Sequence, residues 1–102
     1  MTDASGRARR RWSNDPAGAI ADYSEAIRLD PEDAIAYSNR GDVYRSIHDC
    51  DRALADYNEA IRLDPRDAAA YNGRGIVYES KNDPARATAD YNEAQRLDSS
   101  FR

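Results

Sequence analysis

The 102-residue sequence holds one cysteine, Cys50, and one histidine, His48. A lone cysteine excludes an internal disulfide and fits a reducing compartment. A lone histidine excludes a metal site built on several histidines. His48 and Cys50 stand two positions apart in a turn-forming stretch, where no third group orients them as a nucleophile pair. No apolar run approaches the roughly 18–20 residues needed to span a membrane. The basic N-terminus is not followed by the apolar core of a secretory signal, so a cytoplasmic location is the expectation. No glycine run forms a phosphate-cradling loop, and no segment reads as a strand. The inventory therefore predicts no catalytic residues, no cofactor, no metal and no membrane partner.

What the sequence does have is a period. Asp56-Tyr57-Asn58-Glu59-Ala60-Ile61-Arg62-Leu63-Asp64-Pro65 is preceded by Asp22-Tyr23-Ser24-Glu25-Ala26-Ile27-Arg28-Leu29-Asp30-Pro31. It is followed by Asp90-Tyr91-Asn92-Glu93-Ala94-Gln95-Arg96-Leu97-Asp98. Tyr23, Tyr57 and Tyr91 are each 34 residues apart. A fixed period between about 20 and 50 residues is the signature of a repeat architecture.

Charge is plentiful but uneven. The total of −4 divides into +3 over residues 1–12, where Arg7, Arg9, Arg10 and Arg11 outweigh Asp3, and −7 over the rest. The body is acidic, so nucleic-acid binding is not expected except through the Arg7, Arg9, Arg10, Arg11 and Trp12 tail.

Apolar spacing and caps divide the body into five helices. Asp15-Pro16 starts the first, because an aspartate caps free amides and proline suits the first helical position. That helix runs to about Leu29 on the stripe Ala19, Ile20, Tyr23, Ala26, Ile27. Asp30-Pro31 is expected to start a second helix, ending near Ile47. Asp49 caps a third from Cys50 to Leu63. Asp64-Pro65 is expected to start a fourth, to about Lys81, and Asn82-Asp83-Pro84 a fifth, to about Leu97.

In this pattern Tyr37, Arg40, Gly41, Tyr44, Ala53, Tyr57 and Ala60, followed by Pro65, recur as Tyr71, Arg74, Gly75, Tyr78, Ala87, Tyr91 and Ala94, with Ser99 in place of the proline. The arrangement resembles the tetratricopeptide repeat family. The resemblance implies an all-α, right-handed solenoid of antiparallel helix pairs, about two and a half repeats long with five main helices. The expected division is a basic tail at 1–12, then a domain at 13–102. The domain splits into a half repeat at 13–33 and repeats at 34–67 and 68–102.

Arg40 and Arg74 depart from the leucine of the family pattern. A buried arginine needs a partner, and Asp22, Asp56 and Asp90 share one register position on the first, third and fifth helices. Bidentate ion pairs across helices are the expectation. The resemblance also implies a concave groove lined by the second and fourth helices, binding a protein or peptide. Its expected residues are Ile35, Ser38, Asn39, Asp42 and Arg45 from one helix, and Ala69, Asn72, Gly73, Ile76 and Glu79 from the next. Asn39 fits the asparagine of a carboxylate-binding subtype, but Ala69 and Gly73 stand where its lysine and arginine would be needed. A second expectation is self-association into a homo-oligomer. Tyr23, Ala87, Tyr91 and Ala94 would lie on end faces that no neighbouring unit covers.

Overall fold

The computed structural model describes residues 15–100. Among them are five α-helices and no strand: α1 (Pro16–Leu29), α2 (Ala34–Ser46), α3 (Cys50–Leu63), α4 (Ala68–Ser80) and α5 (Pro84–Leu97). The basic tail, with Arg7, Arg9, Arg10, Arg11 and Trp12, lies outside the described residues.

Every helix starts on an aspartate whose carboxylate accepts an amide of the first turn. These caps are Asp15, Asp33, Asp49, Asp67 and Asp83. Two of them correct the expected starts. The caps of α2 and α4 are Asp33 and Asp67, not Asp30 and Asp64. Asp30 and Asp64 instead close the preceding helices as C-caps. The Asp33 amide donates to the Asp30 carbonyl at 3.1 Å, and Asp67 to Asp64 at 3.1 Å. Each Asp-Pro pair thus opens a tight turn, and helix geometry resumes three residues later than the proline alone implied. α2 and α4 also end one residue short of the expected Ile47 and Lys81.

The other two turns are tighter still. His48 and Asn82 take left-handed φ values of 65° and 66°. The amides of His48 and Asp49 bond back to Arg45 and Tyr44, and those of Asn82 and Asp83 to Glu79 and Tyr78. This is the Schellman closure of a helix C-terminus. The amides of Asp49 and Asp83 close one helix while their carboxylates cap the next, which makes α2–α3 and α4–α5 close antiparallel pairs.

Sequential helices pack on one another, and α2 also touches α4, whereas α1, α3 and α5 do not touch among themselves. One layer, α2 and α4, is therefore close-set and the other is splayed. The stack curves toward the α2–α4 side, and that side is concave. Tyr57 governs the spacing. It is fully buried, and its ring lies against both Gly41 of α2 and Gly73 of α4. A Cβ on Gly73 would stand 2.5 Å from Cζ of Tyr57, and one on Gly41 3.0 Å from its Cε1. Ala53, Ala60, Ala70 and Val77 complete the core around that ring.

Candidate peptide-binding groove

Two half-buried arginine clasps hold the groove helices in register. Arg40 donates Nε and Nη2 to the two carboxylate oxygens of Asp56, each at 2.8 Å, and Nη1 to Ser24 Oγ at 2.9 Å. Arg74 repeats the arrangement with Asp90 at 2.8 Å and 2.8 Å and Asn58 Oδ1 at 2.9 Å. Each guanidinium also lies between two tyrosine rings of its own helix. Arg40 is 5.6 Å from Tyr37 and 5.9 Å from Tyr44, and Arg74 is 5.5 Å from Tyr71 and 5.9 Å from Tyr78. One arginine thus ties three successive helices. The carboxylate partner raises the pKa of each arginine against the opposing effect of burial. Asp22, on α1, is exposed and makes no ion pair among the described residues. The register equivalent of Arg40 one repeat earlier is Gly6, which lies outside them.

The concave face is built from α2 and α4. Asn39, Asp42 and Arg45 are half-buried along α2; Asn72 and Ile76 are half-buried and Glu79 is exposed along α4. Ser38 needs correction. It is only 5% exposed, which leaves it inaccessible to a partner.

Sequence reasoning assigned Tyr57 to packing and Tyr91 to packing and an end face, but both hydroxyls reach through to the groove. Tyr57 donates to Asp42 Oδ1 and accepts from Arg45 Nε at 3.0 Å. Arg45 Nη2 also reaches Asp42 at 3.4 Å. Tyr91 donates to Glu79 Oε1 at 2.6 Å. Burial, then the hydrogen bond to Asp42, pushes the Tyr57 hydroxyl pKa upward. Burial, then Glu79, pushes Tyr91 up to about 12. The signal was present in the register. Asp42 and Arg45 become Ile76 and Glu79 one repeat later, so each tyrosine finds a carboxylate, but at a different position.

The end faces also depart from expectation. Ala87 and Ala94 are 3% and 0% exposed within the single chain. Their small side chains face α4, where a Cβ on Gly75 would come within 3.2 Å of the Ala87 carbonyl. They cannot serve as end-face contacts; Tyr23 and Tyr91 are half-buried. The seam residues Leu54 and Ile61 of α3 correspond to Thr88 and Gln95 on α5, so the outer side of α5 is more polar than its counterpart. On α1 the equivalents Ile20 and Ile27 remain apolar.

Among the described residues, no group of His, Cys, Asp and Glu is placed to hold a metal ion. No described helix is long and apolar enough to cross a membrane.

Five capped helices in alternating layers, with a 34-residue register and a concave inner face, define a helical-repeat solenoid. The sequence matches the TPR repeat over residues 13–47 and 41–82, and the tetratricopeptide repeat over residues 68–101. The chain belongs to the tetratricopeptide repeat family. The fold is similar to that of the Arabidopsis OM64 TPR domain, with a TM-score of 0.87 at 26% identity over 92% of this chain and 78% of that one. It is similar to YrrB, described as a TPR protein with an unusual peptide-binding site, with a TM-score of 0.73 at 37% identity over 74% of this chain. MamA matches with a TM-score of 0.79 at 29% identity over 85% of this chain. The matches cover 39% of the YrrB chain and 51% of the MamA chain. No curated protein matches by sequence. Proteins of this family generally mediate protein–protein interaction and are generally non-catalytic.

Proposed function

We propose that this chain is a non-catalytic interaction module that binds a peptide or partner helix along the concave face of α2 and α4. The observation that carries the reading is the set of tethered side chains there. Asp42, Arg45 and Glu79 are held from behind by tyrosines of the outer layer. Side chains fixed before binding lose less conformational entropy when a partner arrives. Asn39 and Asn72 each offer a donor and an acceptor to a peptide backbone, and Ile76 offers apolar contact. The similarity to YrrB, a protein with a peptide-binding site, supports the same reading. A side chain at position 73 has no room beside Tyr57, which argues against a carboxylate clamp with an arginine there. The test is partner capture with Asn72→Ala and Ile76→Asp: both should weaken binding and leave the helical content unchanged. Equal capture by the parent and both variants sinks the proposal.

Self-association is the second reading, and the observation favouring it sits on α1. Ile20, Tyr23 and Ile27 there keep the seam pattern of Leu54, Tyr57 and Ile61. The solution mass should rise with concentration, and Tyr23→Glu should abolish the rise. A monomer at every concentration ends this reading.

A further inference from the structure

One end of the concave face opens into a cleft of about 480 Å³. Ile35, Ala68, Ala69 and Leu97 form its apolar side, and Asp64, Asp67 and Asp98, with Arg66, its polar side. Ile35 and Ala69 occupy the same register position on α2 and α4, so the cleft continues the groove. Ile35 is 69% exposed, and with Ala69 and Leu97 it forms an apolar wall open to solvent beside the carboxylates.

The three carboxylates already have local roles, but those roles leave acceptor capacity. Asp64 accepts from the Arg66 amide at 3.1 Å, Asp67 from the Ala70 amide at 3.1 Å and Asp98 from the Ser100 amide at 3.0 Å. None of the three forms an ion pair among the described residues. Burial, and behind it the negative charges of Asp64 and Asp42, pushes the Asp67 carboxyl pKa up. Burial is the larger cause, and a cation beside the carboxylate would favour its ionised form. The groove's own Arg45 does not supply it, since Asp42 and Tyr57 hold that guanidinium. Farther along the groove, Glu79 adds another carboxylate.

We infer that the groove takes a basic, amphipathic peptide segment of another protein. A lysine or arginine head sets among Asp64, Asp67 and Asp98, and an adjacent apolar side chain lies on Ile35, Ala69 and Leu97. Long basic side chains suit such a site, because their methylene stems cover apolar surface while the head stays among the carboxylates. The −7 charge of the body outside residues 1–12 steers a basic partner inward from a distance and repels an acidic one. This inference rests on the groove reading and adds to it the sign and shape of the partner.

The test uses the full chain and three labelled peptides of equal length, followed by fluorescence anisotropy. One peptide alternates lysine and leucine with serine spacers, the second replaces lysine by glutamate, and the third replaces leucine by serine. The lysine–leucine peptide should bind tightest, and added salt should weaken it. Asp64→Asn with Asp98→Asn should weaken it by several-fold to about tenfold, as the loss of two partly exposed charge contacts predicts. Ile35→Ser should weaken it without changing the salt dependence. Binding of the glutamate peptide as tightly as the lysine–leucine peptide overturns the inference. If Ile76→Asp still abolishes that binding, the groove reading stands alone. A serine peptide that binds as well as the leucine one shows charge attraction without a site, and also overturns it. If replacing Arg7, Arg9, Arg10 and Arg11 by serine raises the affinity tenfold or more, the occupant is the chain's own tail, and the external partner is refuted. If no peptide binds, both readings fall together.

Discussion

Replacing Arg74 by alanine should destabilise the fold by about 3 kcal/mol. The guanidinium is 21% exposed and the Asp90 carboxylate 7%. Removing the arginine therefore leaves a nearly buried carboxylate without its cation, a change worth about 3–5 kcal/mol when the pair is well buried. The partial exposure of the arginine points to the lower end. The contacts to Asn58, Tyr71 and Tyr78 disappear with it. At about 4–8 °C per kcal/mol for a domain of this size, Tm should fall by roughly 12–24 °C. Arg74→Leu should cost less, about 2 kcal/mol, because the leucine refills part of the space, although Asp90 remains uncompensated. Replacing both partners, Arg74→Leu with Asp90→Leu, should bring stability back to within about 1 kcal/mol of the parent, since apolar residues of similar volume often substitute for a buried pair without loss. Thermal and urea unfolding followed by circular dichroism measure all three. An Arg74→Ala protein that melts within about 2 °C of the parent would falsify the reasoning, as would a double variant weaker than Arg74→Ala.

Further outcomes follow from other contacts. Gly73→Ala should destabilise by about 1–3 kcal/mol in urea unfolding, because its Cβ would meet the immobile Tyr57 ring at 2.5 Å; the gain in helix propensity offsets only part of this. Asp33→Ala should cost about 1 kcal/mol as a true N-cap, and Asp30→Ala less; equal costs in the same assay would place the cap wrongly. Alkaline pH should weaken the fold. The Tyr91 hydroxyl has a folded pKa near 12 against an ordinary value of 10.0, so its contribution is fully present below about pH 10 and is lost as pH rises toward 12. Tyr57 shifts in the same direction. Urea midpoints that stay level from pH 9 to about pH 12 would contradict this. His48→Asn should stabilise by a few tenths of a kcal/mol, since the left-handed φ of 65° suits asparagine better, as Asn82 already illustrates.

The period carried most of the fold. Tyr23, Tyr57 and Tyr91 at 34-residue spacing, with small residues at fixed offsets, leave few ways to stack the helices. The arginine–aspartate pairing was also legible, because two replacements of an apolar position by arginine must each find an anion. Four things were not. The caps at Asp33 and Asp67 lost to the more conspicuous Asp-Pro pairs, since the sequence does not say which of two nearby aspartates leaves the turn first. Ser38 looked available because helical spacing gives a face but not what lies over it. The tether from Tyr57 to Asp42 and from Tyr91 to Glu79 needed the packing of the outer layer, since the partners stand 15 and 12 residues apart. The cleft beside Asp67 joins three loops and helix ends that no local pattern connects.

Amide chemical-shift mapping of the isotope-labelled chain, titrated with the lysine–leucine peptide, tests the central claim most directly. The account predicts that the shifted amides cluster on α2 and α4, around Asn39, Arg45, Asn72 and Ile76, and extend to Asp67 and Asp98. Shifts confined to the outer surfaces of α1, α3 and α5, with α2 and α4 unmoved, would contradict it.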